Sequence, residues 1–236
     1  MDDKQVLYYK YKFTLEDNTK KEFLIELDRK TLKLVNAAPQ TELPQWTELN
    51  LEKCPHCTLD PAKNKYCPVA VNIINIVDFF KAHISYIKAD VSIETNERNY
   101  SKQQVQLQKG VSSLMGIYMV VNDCPVMSKL KPMVLYHLPF ASLDETRYRM
   151  VTLYLFAQYY LEHKGRKPDW NMKNFIKIYD DVRIVNEHIT KRLINIEKED
   201  TVSNAIVRLD CLAGFTQFSV NDLFKDVEQV FEVYTK

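Results

Sequence analysis

Three cysteines that lie close together in the sequence are the residues best suited to chemistry. Cys54 and Cys57 form a C-x-x-C motif, and Cys67 follows it after nine intervening residues. A C-x-x-C motif lets two thiolates bind one ion from a single tight turn, and thiolate sulfur is a preferred ligand of Zn²⁺ and of iron–sulfur clusters. The spacing therefore predicts a metal site that includes Cys54, Cys57 and Cys67.

The fourth ligand of this site has to come from elsewhere in the chain. Cys67 and Cys124 are each followed directly by a proline, a residue that can begin a helix. A cysteine in front of a helix lies close to the partial positive charge of the helix N-terminus, which favours a thiolate. We therefore predict Cys124 as the fourth ligand, with His56, inside the C-x-x-C motif, as the alternative.

Zinc is the cofactor that we expect first, because a closed structural zinc site needs no further machinery. A 4Fe-4S cluster on the same four cysteines is the alternative. The sulfurs of Cys54, Cys57 and Cys67 should lie within about 4 Å of one another in a zinc site, or within about 7 Å around a cluster, as metal–sulfur bond lengths require. The remaining alternative is a metal-free protein in which the cysteines are small buried hydrophobic residues.

Other candidate residues carry weaker signals. His137 could be an acid–base group or a metal ligand, with Arg147 and Arg149 nearby, but a histidine at a helix end more often packs or caps. No motif supports a hydrolase that would use Cys124 with His137. A thioredoxin-like use of C-P-H-C lacks the βαβ surroundings that it requires. Cys211 falls in an apolar helical pattern and is predicted to lie in the core. None of these signals decides whether the protein is an enzyme.

The composition argues against several classes of function. Lysine plus arginine (32) nearly equals aspartate plus glutamate (31), so a net charge of +1 gives no reason to expect a nucleic acid or an anionic membrane as partner. The four glycines have neither the dinucleotide-binding nor the P-loop spacing. Five cysteines without an export signal predict reduced thiols in the cytoplasm. No apolar run is long enough to span a membrane. With nucleic acid and membrane not expected, the partner is an unknown protein or small molecule.

The pattern of apolar residues predicts an α+β fold. Residues 1–35 alternate apolar and polar side chains, which indicates an antiparallel β-meander. Residues 36–68 form an irregular segment with five prolines that contains the first three cysteines. Residues 69–236 are predicted to be mainly helical with one extra strand near 86–95, and the three parts are expected to form one compact unit.

The helical part has clear start and stop signals. Ser142 and Glu145 form a capping-box pattern before a helix whose apolar residues surround its axis, so this helix is expected at the centre of the core. Gly214 is expected to end a later helix. The predicted helices span about 68–83, 102–121, 125–136, 142–163, 172–196, 202–212 and 219–234.

Several motifs resemble those of an uncharacterised bacterial family that is known only as a domain of unknown function. They are C-P-x-C-x-L-x-P at 54–61, Y-C-P-V-A-x-N at 66–72, C-P at 124–125, K-P-M at 131–133 and H-L-P-F-A at 137–141. The resemblance covers most of residues 1–165. It implies a bacterial, cytoplasmic setting, and the four cysteines all belong to the motifs that carry it. It implies no activity and no catalytic residues.

Three hypotheses for function follow from these observations. The first is a zinc-stabilised binding or regulatory module, in which the metal ties the irregular segment to the helices through Cys124. The second is an iron–sulfur protein or enzyme that uses the same cysteines for redox chemistry or sensing. The third is a metal-free helical scaffold with reduced, buried cysteines.

Overall fold

The computed structural model describes residues 5–35, 43–194, 196–218, 220–234 and 236. A four-stranded antiparallel sheet has the strand order β2-β1-β3-β4, and its strands are β1 (Val6–Leu15), β2 (Lys20–Asp28), β3 (Lys88–Thr95) and β4 (Asn99–Gln106). The helices within these described ranges are α1 (Pro68–Asn72), α2 (Ile74–Phe80), α3 (Leu107–Tyr118), α4 (Lys131–Leu135), α5 (Leu143–His163), α6 (Lys173–Leu193), α7 (Thr201–Phe218) and α8 (Val220–Phe231). The fold is α+β, as predicted.

The strand β1 is central and carries much of the core. Its buried residues alternate with partly exposed ones, because successive side chains of a strand point to opposite faces of the sheet. Tyr11 is opposite Phe23 of β2 and Ile93 of β3, and all three side chains are buried. Helix α3 packs against this buried face, and Gly110 of α3 lets the helix approach Phe13 closely.

The sheet differs from the predicted meander in two respects. The third strand of the meander is absent, and Leu34 pairs with Leu27 only as an isolated bridge. The prediction of one extra strand near 86–95 is confirmed by β3, which joins the N-terminal sheet, but β4 was not predicted. The side chains of β4, at the edge of the sheet, are mostly exposed and polar, and Val105 is its single buried residue. Such a strand has no alternating pattern to detect.

Helix α5 begins and ends as predicted. The backbone N–H of Glu145 donates to Ser142 Oγ at 3.1 Å, and the N–H of Ser142 donates to Glu145 Oε2 at 2.7 Å, which completes the capping box. The prediction that α5 occupies the centre of the core is wrong, because Phe156 and Tyr160 are exposed. The central helix is α3, which contacts the sheet on one side and α7 on the other.

The other helices follow their predictions with local differences. Residues 68–80 form two short helices with a break at Ile73 instead of one continuous helix. Helix α6 has the expected amphipathic pattern, and it packs on α7. Helix α7 continues through Gly214, because one glycine inside a helix costs only about 1 kcal/mol. The predicted start of the last helix, Ser219, lies outside the described residues.

None of the described helices combines the length and the apolar character that are needed to cross a membrane.

Candidate metal centre

The structure brings all four predicted cysteine ligands together. Cys54, Cys57, Cys67 and Cys124 line one cavity of about 320 Å³, which we call the cysteine cavity. Cys67 and Cys124 are buried, and Cys54 and Cys57 are half-buried. All five cysteines of the chain are free thiols. Cys211 is exposed and is not part of this group, so the prediction that it lies in the core is wrong.

Backbone hydrogen bonds place Cys67 at the cavity. The N–H of Cys67 donates to the carbonyl of Thr47 at 2.7 Å, and Glu48 forms an antiparallel bridge with Tyr66. These contacts fold residues 43–67, which we call the cysteine segment, back on themselves. Cys67 is the N-cap residue of α1, with an extended backbone conformation and a proline directly after it.

Arg192 of α6 holds the start of the cysteine segment. Its side chain is 3% exposed and lines the cysteine cavity. The guanidinium group fixes a turn of backbone, because a planar group with five N–H donors can serve several carbonyls at once. The carbonyl acceptors are those of Trp46 at 2.9 Å, Glu48 at 2.6 Å, Leu49 at 3.3 Å and Glu52 at 3.3 Å.

The two cysteines of the C-x-x-C motif and the distant Cys124 are each held by a turn. The N–H of Cys57 donates to the carbonyl of Cys54 at 3.0 Å, which closes the C-x-x-C turn. The N–H of Cys124 donates to Asn122 Oδ1 at 2.9 Å, so a side chain makes the turn without glycine. The backbone N–H groups of Met127 and Val126 donate toward the Cys124 thiol. Amide donors around a sulfur are suited to stabilising a thiolate.

The thiols influence one another electrostatically. The pKa of the Cys54 thiol is raised to about 12, mainly by burial and also by the nearby Cys67, Cys124 and Cys57, whereas Arg192 acts to lower it. Burial also raises the pKa of the Cys124 thiol, against the effect of its two amide donors. Without a compensating cation these two thiols keep their protons at neutral pH.

The cavity has two features that suit an anionic metal–thiolate group. Basic side chains outnumber acidic ones, since four cationic residues and the single carboxylate of Asp181 line it. The cationic residues are Lys53, Lys129, Lys177 and Arg192. In addition, His56 lines the cavity, and both of its ring nitrogens are buried without a hydrogen-bond partner. An unpaired buried nitrogen costs about 1–3 kcal/mol.

The described residues contain no group of three or more histidine, cysteine, aspartate or glutamate side chains that could hold a metal ion as they stand. The four thiols thus surround a shared cavity without forming a closed ligand set. The predicted sulfur–sulfur distances of a zinc site or a cluster remain predictions.

His137 does not line the cysteine cavity. Its Nε2 is 2.8 Å from Tyr11 Oη and 3.4 Å from Ser113 Oγ. The pKa of His137 is lowered to about 3, mainly by burial and also by the charge of Arg149. The histidine is therefore a neutral hydrogen-bonding group at physiological pH.

The sequence reasoning missed Arg192. A signal for it exists, because Arg192 continues the stripe of buried residues that contains Val185 and Ile189 on α6. A charged residue on the apolar face of a helix has to find hydrogen-bond partners when it is buried. Which partners it finds depends on the folding of the cysteine segment, and that could not be read from the pattern.

A family model provides the comparison with known proteins. The model described as "Domain of unknown function (DUF6901)" matches residues 7–232. The chain belongs to this family. The DUF6901 match confirms the resemblance to a domain of unknown function and extends it well beyond residue 165. No curated protein and no solved structure is significantly similar to the chain.

Proposed function

We propose that this DUF6901 domain is a metal-stabilised binding or regulatory module in which Cys54, Cys57, Cys67 and Cys124 bind one zinc ion. The observation that carries the proposal is that four cysteines, from two turns and a helix N-cap up to 70 positions apart in the sequence, line a single cavity. Four thiolates are the ligand set of many structural zinc sites. The ion would tie the cysteine segment to the turn that contains Cys124.

The charges around the cavity support this assignment. Four thiolates and one Zn²⁺ ion sum to a charge of −2, which is costly to bury unless positive groups are near. Arg192 is buried at the cavity, and Lys53 and Lys177 line it as well. A scaffold with neutral, buried thiols would have no need for this excess of cations. The surroundings therefore suit deprotonated cysteines better than protonated ones.

The ligands have to move closer together when the ion binds. Because a complete metal site rarely exists before its metal arrives, small shifts of the thiols on binding are normal. Cys54 and Cys57 are half-buried, and their turn lies within the irregular cysteine segment. The free energy of metal binding would in this way add to the stability of the fold.

An iron–sulfur cluster is the second candidate, and the size of the cavity favours it. A volume of about 320 Å³ is much larger than the space of about 30 Å³ that one water molecule takes in the liquid. A 4Fe-4S cluster also accepts sulfurs that are about 7 Å apart, so it would require smaller movements of the four thiols. In this case the domain would serve in redox chemistry or sensing.

Metal analysis of protein purified without air and without added metal tests both candidates. We expect one zinc per chain and no visible absorption. Iron with sulfide and a brown colour would establish the second candidate and contradict the first. Neither metal, together with five thiols that react with a thiol reagent after unfolding, would contradict both and leave a metal-free scaffold.

Two cysteine variants locate the metal. Cys124→Ser removes one proposed ligand, so we expect metal content to fall well below one per chain. Cys211→Ser is the matched control, because Cys211 is exposed and does not line the cysteine cavity. Equal metal content in the two variants would contradict the proposed ligand set.

A further inference from the structure

A second and larger cavity lies on the other side of α6. Its volume is about 630 Å³, which is within the range of about 300–1,000 Å³ that is typical of small-molecule sites. We call it the apolar cavity, because aliphatic and methionine side chains are the largest group among its lining residues. Representative wall residues are Val120, Met127, Leu130, Met150, Val182 and Leu212. It shares no lining residue with the cysteine cavity and contains none of the four proposed cysteine ligands.

A few polar groups are placed within this apolar wall. Ser113 Oγ is 2.9 Å from Tyr11 Oη, and His137 Nε2 completes a hydrogen-bonded group with both hydroxyls. Asn186 also lines the cavity and is only 2% exposed. An apolar cavity with a small number of fixed polar groups is the usual form of a ligand site.

Asn186 has an unsatisfied acceptor at this cavity. Its side-chain Nδ2 makes one long hydrogen bond to Asp210 at 3.5 Å, and its Oδ1 is buried without a partner. Leaving a buried acceptor unpaired costs about 1–3 kcal/mol. A bound molecule that places a hydrogen-bond donor, such as a hydroxyl group, beside Asn186 Oδ1 would remove this cost. The unpaired amide is thus an observation, independent of the cavity's size, that points to a ligand.

The charged residues around the cavity specify the sign of that ligand. The cationic residues Lys102, Lys109, Arg149 and Arg208 line it, against one carboxylate, that of Glu145. Glu145 already accepts a hydrogen bond from the Ser142 N–H in the capping box. Lys109 and Arg208 are exposed, so the positive charge lies at the solvent side of the apolar wall. An anionic head group and an apolar body match this distribution.

We propose that the apolar cavity binds an amphipathic hydroxy acid, with its hydrocarbon part among the aliphatic residues, a hydroxyl group that donates to Asn186 Oδ1, and its carboxylate near Lys109 and Arg208. Decanoate is a suitable probe, because it combines a flexible apolar chain with one carboxylate. Decylamine has the same chain and the opposite charge, so it separates recognition of the head group from simple partition of a chain into the cavity. The proposal does not depend on the metal centre, since the two cavities have different polar residues.

The test is calorimetric titration of the full chain with decanoate and with decylamine. We expect decanoate to bind at one site per chain and to bind at least about tenfold more tightly than decylamine. In Arg208→Glu, which changes an exposed residue, this preference should fall by about tenfold or reverse. Equal affinities of the two probes for the unaltered protein, or no binding of decanoate, would overturn the proposal.

A pair of glycine variants tests the location. Gly116 lines the apolar cavity, and a Cβ at this position meets only Leu209 Cδ2, at 3.7 Å, so Gly116→Leu should fill part of the cavity and weaken decanoate binding by about tenfold or more. Gly214→Leu is the matched control, because Gly214 is in a helix and does not line the cavity. Circular dichroism of both variants verifies that they are folded. If a folded Gly116→Leu variant binds decanoate as the unaltered protein does, the assigned site is wrong.

Discussion

His137 is held in its neutral form by its surroundings. The hydroxyl groups of Tyr11 and Ser113 lie on one side, and the guanidinium group of Arg149 lowers the pKa of the imidazole in addition to the effect of burial. Arg149 is itself fixed by hydrogen bonds from Nη2 to the carbonyls of Met133 and Tyr136, at 3.0 and 2.5 Å. Protonation of His137 would therefore place two positive charges side by side in the core.

We expect His137 to make the protein less stable in acid. In the unfolded chain the imidazole takes up a proton near pH 6.5, whereas in the folded protein its pKa is about 3. The unfolded state therefore binds more protons between these values, so the free energy of unfolding falls as the pH decreases, by at most about 1.4 kcal/mol per pH unit from this residue. Urea unfolding at pH 7 and pH 5 measures the slope. An unchanged slope in His137→Gln would contradict this assignment.

Arg192 is the second residue whose burial has a measurable consequence. Arg192→Lys keeps the charge but leaves most of the carbonyls of Trp46, Glu48 and Leu49 without a donor, so we expect the free energy of unfolding to fall by roughly 2–4 kcal/mol. Urea unfolding in the presence of a chelator measures this effect apart from metal binding. Arg183→Lys is the control on the same helix, because Arg183 makes only a half-exposed ion pair with Asp210 and should change stability by less than about 1 kcal/mol. Equal losses in both variants would contradict the role given to Arg192.

Helix α3 packs against the sheet, and two of its glycines differ sharply in their surroundings. A Cβ on Gly110 would lie 2.8 Å from Phe13 Cε1 and 2.9 Å from Val91 Cγ2, both in buried side chains. A Cβ on Gly116 would meet only Leu209, at an ordinary distance of 3.7 Å. The first glycine is therefore needed for the close approach of helix and sheet, and the second is not.

The same substitution at these two glycines should have opposite effects. We expect Gly110→Ala to lower the free energy of unfolding by about 1–3 kcal/mol through overpacking. Gly116→Ala should raise it by up to about 1 kcal/mol, because alanine has the higher helix propensity. Thermal or urea unfolding of both variants checks the pair. A stabilised Gly110→Ala would show that the sheet and α3 can separate at little cost.

The elements that sequence reasoning predicted well are those whose own residues carry the signal. The alternation along β1 and the capping box of α5 gave correct elements at correct positions. The edge strand β4 carries no such signal and was not predicted, because most of its side chains are polar and exposed. The peripheral position of α5 was missed for a related reason: its exposed aromatic residues, such as Phe156 and Tyr160, look the same in sequence as core residues.

On the scale of the whole molecule, the four cysteines that the sequence grouped together line one cavity, and their binding of a metal stays a prediction. Pro125, directly after Cys124, is a local signal that was interpreted without a structure, whereas the turn that Asn122 makes was not predicted. The contribution of α6 could not be predicted from the sequence, because Arg192 reaches carbonyls about 140 positions earlier in the chain. The apolar cavity could not be predicted from the sequence either, because α3, α6 and α7 all contribute to its walls.

A metal that joins distant parts of the chain should protect the cysteine segment from proteolysis. Lys53, Lys63 and Lys65 are tryptic sites within it. We expect a chelator to speed cleavage at these sites on the order of tenfold, which corresponds to a local stabilisation of about 1.4 kcal/mol. Cys124→Ser should be cleaved at the faster rate without a chelator, and Cys211→Ser at the slower one. Identical cleavage with and without chelator would mean that no metal stabilises the segment.

Helix α6 forms a wall of both cavities. Lys177, Asp181 and Val185 face the cysteine cavity, and Val182 and Asn186, one position further around the helix, face the apolar cavity. A rotation of α6 about its own axis would therefore reshape both cavities in one movement. By thermodynamic linkage, a ligand on one side that favours one rotation would change affinity on the other side, and each would change the other by the same factor. Helix α6 would thus couple binding of the proposed metal to binding of the proposed organic acid.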